Sequence, residues 1–196
     1  AVAAARAEAL GLANVTTRQL DLERIDEPDA SYDVVVCREG LMLVPNPARA
    51  MREIRRILRS GGRAAVAVWG PRQHNPWLGA LFDAVSTHTG MPVPPPGIPG
   101  PFSLEDADAL AVLLSDAQLT DIAVTEVATP LRVSSFEEWW TVVPSLAGPI
   151  AQVLSSLPED VSQATHATAA KTLEPYATPN GYNIPGVSLV GAGRRP

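Results

Sequence analysis

The sequence predicts an α/β fold, a buried parallel sheet with helices on both faces and a helical cap over one edge. Three observations carry this. Residues 32–37, YDVVVC, form a continuous apolar run, the pattern of a strand buried on both faces. Asn46 and Pro47 supply an N-cap and a first helical residue for a helix over 47–59. Gly61 and Gly62 then stop that helix, and RAAVAVW at 63–69 reads as a second buried strand. A strand, helix and strand in that order imply a parallel pair with a right-handed crossover.

The remaining elements follow in order. Residues 2–10 read as a helix ending at Gly11, which suits a left-handed cap. NVTTRQL at 14–20 is rich in β-branched residues and reads as a strand, and DLERIDEPDAS after it is an acidic loop. Beyond Gly70, residues 76–89 read as a helix, whereas MPVPPPGIPGP at 91–101 must be a stiff, non-helical loop. Ser103 and Asp106 have capping-box spacing and open a helix to Gln118. Residues 121–129 alternate as a strand. Ser135 and Glu138 form a second capping box, opening a helix with Phe136, Trp139, Trp140 and Val143 on its apolar side. Helices near 146–157 and 159–175 follow, and GVSLVGAG at 186–193 is a closing strand.

Composition excludes several classes. A chain of 196 residues with 46% hydrophobic content can bury a sizeable core. Its net charge of -6 argues against a general nucleic-acid binder. No apolar run approaches the ~20 residues that cross a bilayer. The single cysteine, Cys37, excludes a disulfide framework and fits a cytoplasmic setting. Three histidines without a carboxylate cluster at ligand spacing predict no metal site.

Ligands of open parallel sheets sit beyond the carboxyl ends of the strands. Two such ends are legible: Asp21 and Leu22 after residues 14–20, and Cys37, Arg38, Glu39 and Gly40 after 32–37. An acidic side chain at Asp21 can accept from an exocyclic amine, though the residue also reads as an ordinary loop aspartate. Arg38 and Glu39 also read as a surface ion pair. Candidate general bases are Glu39, His74 and His88. Trp69, Trp77, Trp139 and Trp140 can wall an apolar pocket, with His74 near it; the competing reading has Trp139 packing the cap onto the core. Arg49, Arg52, Arg56 and Arg59 recur at helical spacing as one solvated basic stripe.

QLDLERID, followed by DASYDVVVCREGLMLVPNPARAMREIRRILRSGGRAAVAVWG, resembles the second half of a class I S-adenosylmethionine-dependent methyltransferase core of the small-molecule type. The matching features are Asp21, the Ser31-Tyr32-Asp33 lead into a strand, and the helix ending Leu58-Arg59-Ser60-Gly61-Gly62. The resemblance implies a Rossmann-like methyltransferase sheet, S-adenosyl-L-methionine as cofactor and a small-molecule methyl acceptor. It implies that Asp21 and Leu22 flank the cofactor's adenine and that Cys37, Arg38 and Glu39 line the pocket for its methionine end. It divides the chain into the C-terminal half of a cofactor-binding core (1–75), a helix, Pro-rich loop and helix (76–118), a core strand (119–130), a helical cap (131–183) and a final core strand (184–196).

Family members open with a strand and a glycine-rich loop that cradles the cofactor. This sequence opens at what resembles the helix after the second strand, so it reads as N-terminally truncated. The strand at 14–20 is then left to pair with 32–37 or with another chain, as in a homodimer through exposed sheet edges, unless the sequence is part of a longer protein. Two other functions compete with methyl transfer. One is a non-catalytic, methyltransferase-like binding or oligomerising module. The other is a nucleotide-dependent oxidoreductase, which needs a parallel final strand where the methyltransferase needs an antiparallel one.

Overall fold

The computed structural model describes residues 2–146 and 150–196. Helix α1 (Val2–Ala9) runs into Gly11, which takes φ +65° as a left-handed cap requires. Residues 14–20 are not a strand: they pair with no ladder, and Val15 and Leu20 stay exposed. Branched side chains favour extended backbone, but only a hydrogen-bonded neighbour makes it a strand, and none of the described residues provides one.

Strand β1 (Tyr32–Arg38) forms as expected, but at the edge of the sheet. It is not buried on both faces: Val34 is 58% and Val36 70% exposed, while Cys37 is buried. Helix α2 (Pro47–Ile57) starts at the expected cap, where Asn46 Oδ1 accepts from the Arg49 N–H at 2.9 Å. Its buried Ala50, Met51, Ile54 and Ile57 make one apolar stripe. The helix ends at Ile57, two residues early, and Leu58 turns straight into β2 (Leu58–Trp69). Gly61 and Gly62 therefore lie inside a strand and do not stop a helix. They serve a register shift between β1 and β2, where a Cβ on Gly62 would stand 2.9 Å from two backbone carbonyl oxygens, those of Asp33 and Arg59.

Helix α3 (Pro76–Thr89) matches its expected range, and the proline-rich segment after it is irregular. Helix α4 (Ala107–Asp116) is capped by Asp106, whose carboxylate accepts from the Ala109 N–H at 2.7 Å. Ser103 is not its N-cap; its hydroxyl accepts from the Gly100 N–H in the preceding turn. An aspartate at the cap satisfies the orphan amide as well as a serine would, so the spacing alone chose the wrong start. Strand β3 (Thr120–Ala128) leads to a short β4 (Leu131–Val133). Helix α5 (Phe136–Leu146) uses Ser135 as N-cap, but Glu138 reaches back to the Ser134 N–H, one residue before the expected partner. Helices α6 (Ile150–Ser156) and α7 (Glu159–Leu173) complete the cap; residues 147–149 of the helix expected at 146–157 lie outside the described residues. Strand β6 (Gly181–Ile184) pairs with β4 on one side and with β5 (Ala177–Thr178) on the other in a small antiparallel sheet that the sequence did not reveal. Strand β7 (Val187–Arg194) closes the chain.

The main sheet has the order β1-β2-β7-β3. Strands β1 and β2 are parallel, and β7 is antiparallel to both of its neighbours. Two apolar clusters hold the molecule. One joins α2 and α4 to a single face of the sheet, through Met51, Ile54, Val66, Val68, Leu110 and Leu114. The other joins α3 to α5, α7 and the small sheet around Leu81, Trp139, Leu173 and Ile184.

Candidate functional site

The carboxyl ends of β1 and β2 bring two groups of residues together. On the face covered by α2, Cys37 is buried, and a Cβ on Gly40 would lie 3.3 Å from Cys37 Sγ and 3.7 Å from the Leu22 side chain. Leu22, Cys37 and Gly40 thus form a small apolar wall. Asp21 begins a tight turn beside it, with its carboxylate accepting from the Glu23 N–H at 2.8 Å and its carbonyl from the Arg24 N–H at 3.1 Å. Burial pushes the Cys37 thiol up, which keeps it protonated and a poor nucleophile.

The turn is held from behind. Glu23 Oε1 accepts from the Asn46 N–H at 2.8 Å, tying the turn to the start of α2. Arg56 donates to the Ile25 and Glu27 carbonyls and to the Asp29 and Glu53 carboxylates. The arginines at 49, 52, 56 and 59 are therefore not one solvated stripe. Arg56 is a loop clamp, and Arg59, already on β2, pairs with Asp33 at 2.7 Å.

The second group lies on the opposite face. Glu39 leaves β1 with φ +51°, held by its own N–H donating to the Ala67 carbonyl at 2.9 Å. This bend carries its side chain across the sheet to Ser188, whose hydroxyl donates to Glu39 Oε1 at 3.2 Å. Thr129 Oγ1 stands 3.5 Å from the Ser188 hydroxyl. Glu39 Oε2 is buried with no hydrogen-bond partner among the described residues. Burial raises the Glu39 carboxyl above the ordinary carboxylate range, with the Ser188 hydrogen bond opposing.

Trp69 is the cross-strand partner of Ser188, so its indole shares this face. It packs edge-on against Trp77 with ring centroids 4.8 Å apart, and Trp139 Nε1 donates to the Trp77 carbonyl at 2.9 Å. Trp139 is wholly buried and joins the cap to α3, while Trp140 packs against Phe136 and His166 within the cap. His74 is exposed on a short turn, and His88 Nε2 lies 2.8 Å from Thr168 Oγ1 of α7. Arg38 is exposed. A groove of 440 Å³ on the same sheet face, lined by Val34, Arg63, Ala65 and Ala192, lies toward the amino ends of β1 and β2, away from Glu39.

Sequence reasoning missed Ser188, Thr129 and Asn75. Ser188 is the lone hydroxyl in an apolar closing strand, which was a usable signal. Asn75 is wholly buried, and its side chain donates to the Gly70, Pro71 and Val187 carbonyls and accepts from the Val187 and Trp77 N–H groups. It fixes the chain at the carboxyl end of β2 to the start of β7.

A strand order in which an antiparallel last strand sits between its two neighbours is that of the class I methyltransferase fold, and β7 runs antiparallel where the oxidoreductase reading needs a parallel strand. Residues 1–66 match the family model described as a methyltransferase domain. The chain is 34% identical over 82 residues to a phosphatidylethanolamine N-methyltransferase of Cereibacter sphaeroides, covering 41% of this chain and 40% of that protein. It is 31% identical over 106 residues to the ubiquinone/menaquinone biosynthesis C-methyltransferase UbiE of Ectopseudomonas mendocina, covering 54% of this chain and 39% of that protein. The chain thus spans about two-fifths of the length of these relatives. Among solved structures it resembles YcgJ of Bacillus subtilis with a TM-score of 0.57 at 18% identity, covering 100% of this chain and 77% of that one.

The donor set suits an organic ligand with polar tips. Asp21 supplies an acidic turn beside the apolar Leu22 and Cys37, and on the opposite face Glu39 carries a carboxylate oxygen without a partner among the described residues. No group of three or more His, Cys, Asp or Glu side chains able to hold a metal occurs among the described residues. No helix among them is long and apolar enough to cross a membrane.

Proposed function

We propose that the protein transfers the methyl group of S-adenosyl-L-methionine to a small-molecule acceptor, in a cytoplasmic setting. The observation that carries this is the antiparallel β7 between β2 and β3, with the Asp21 turn and the Cys37–Gly40 loop meeting at the carboxyl end of β1. In this reading Asp21 and Leu22 flank the adenine, and Cys37, Arg38 and Glu39 line the methionine end. Trp69 and His74 face the acceptor, and Trp139 and Trp140 act through the cap helices that close over it. Residues 1–75 form the cofactor-binding core, with 119–130 and 184–196 completing its sheet, and 131–183 the cap. Any pairing with a second copy is placed at the outer edge of β1.

When bound, the cofactor supplies an already activated methyl group on a sulfonium. The protein's work is then to orient the acceptor and exclude water. Leu22 and Cys37 give an apolar wall, Trp69 a flat one, and Glu39 a carboxylate able to take a proton from an acceptor that must lose one. The similar proteins are named for transfer to nitrogen in one case and to carbon in another, so neither fixes the acceptor atom.

The test has two arms. The full gene product, given radiolabelled S-adenosylmethionine and a metabolite extract, should label a small molecule; the absence of both transfer and S-adenosylhomocysteine binding would sink the proposal. Residues 1–196 contain no glycine-rich cofactor loop, so calorimetry on them alone should show binding weaker than micromolar.

A further inference from the structure

We propose that Glu39, Ser188 and Trp69 form a subsite that reads an N–H or O–H donor on the methyl acceptor, and that the acceptor is a flat phenol or arylamine. This rests on the methyltransferase reading and names its substrate class. The geometry comes first. Glu39 belongs to the loop after β1 and Ser188 to the start of β7, yet the bond between them at 3.2 Å crosses β2 on one face of the sheet. That bond occupies one carboxylate oxygen. The other is shut away from solvent and has no partner among the described residues.

A buried acceptor left unpaired is costly, and it is tolerated where a ligand supplies the missing donor. Glu39 also holds a positive φ, a conformation that a non-glycine residue keeps only when its surroundings enforce it. Here the Ala67 and Ser188 hydrogen bonds enforce it and aim the carboxylate. Ser188 is 4% exposed and stands 3.5 Å from Thr129, so it is a positioning residue and does not itself meet the ligand.

Trp69 decides the shape of what binds. It is the cross-strand partner of Ser188, and its indole is fixed by the edge contact to Trp77. A rigid aromatic ring on the same sheet face as a carboxylate oxygen without a partner among the described residues suits a ring that carries its donor at the rim. The same donor chemistry exists on the ammonium of the cofactor's amino-acid end, and the experiment separates the two sources.

The probes are phenol and anisole, which share a ring and differ in the O–H, followed by the side-chain carboxyl resonance of ¹³C-labelled Glu39. Phenol should bind about tenfold tighter than anisole and move that resonance. Glu39→Ala should abolish the preference, and Ser188→Ala should weaken it while the apolar ring still binds. Equal binding of the two probes, or phenol binding that leaves Glu39 unmoved, overturns the proposal. In the second arm, S-adenosylhomocysteine is compared with 5′-methylthioadenosine, which lacks the amino-acid end. A Glu39 shift with the first only, together with no phenol preference, assigns the oxygen to the cofactor and also overturns it. Because phenol needs no cofactor, loss of S-adenosylhomocysteine binding alone counts against methyl transfer and not against the subsite.

Discussion

Glu53 and Arg56, one helical turn apart on α2, hold the backbone of Ile25 from both sides. The Ile25 N–H donates to Glu53 Oε2 at 2.9 Å, and Arg56 donates to the Ile25 carbonyl at 2.7 Å. The two side chains also bond each other at 2.9 Å, so each orients its partner for the loop. This pair connects a helix of ordinary amphipathic pattern to the turn that carries Asp21 and Leu22.

Replacing Arg56 should therefore loosen the turn as well as destabilise the fold. Arg56→Lys keeps the charge but cannot span two carbonyls and two carboxylates with one ammonium. The expected loss is about 1–3 kcal/mol in urea unfolding. Amide exchange at Ile25 should accelerate more than at Val66 in the centre of β2.

Glu53 titrates below the ordinary carboxylate range because Arg56 bonds its charged form, with the Ile25 N–H adding to the effect and burial opposing it. The folded state thus binds a proton less readily than the unfolded chain. The stabilisation is present above the ordinary glutamate value and is lost as pH falls through the depressed folded one. Wild type should be more stable than Glu53→Gln at neutral pH, with the gap closing on acidification. A gap that does not change with pH would remove the carboxylate charge from this account.

Glu39 behaves in the opposite sense. Burial raises its carboxyl, so its protonated form favours the fold: that contribution is complete below the ordinary glutamate value and is lost as pH rises through the raised folded one. Glu39→Gln should therefore leave the protein at least as stable as wild type at neutral pH in thermal melts. Any advantage should fade toward acid, where the wild-type side chain is itself neutral. A large loss of stability at neutral pH would mean that the charged form has a partner.

Asn75 and Trp139 should prove structural. Asn75→Ala strands the Val187 and Trp77 N–H groups in a buried place, at a cost of about 3 kcal/mol or more. Trp139→Phe forfeits the bond to the Trp77 carbonyl and leaves a partial void, and Trp139→Ala should cost about 3–5 kcal/mol. Melting curves with near-ultraviolet circular dichroism would show both losses.

Much of the fold was legible because it is local. The apolar run 32–37, the Asn46–Pro47 cap, the helix 76–89 and the alternation of 121–129 each declare their element within a few residues. Periodicity and cap chemistry are short-range, so these survive whatever packs around them. The antiparallel placement of the last strand was legible only through family resemblance. Residues 14–20 misled because β-branching reports a preference and not a partner, and Ser103 misled because Asp106 competes for the same role with equal chemistry. The three short strands of the small sheet, two to four residues long, carry too little pattern to be read.

The candidate site divides in the same way. By itself the sequence determined that Cys37, Arg38 and Glu39 close β1, since that follows from chain order, whereas Asp21 and Leu22 follow a predicted strand that does not form. Only the tertiary structure decided that Glu39 bonds Ser188, 149 residues away, and that one of its oxygens is left buried without a partner among the described residues. The physical reason is register. Which residue of the last strand stands beside Trp69 depends on how β2 and β7 slide along each other, and no local pattern in either strand encodes that offset.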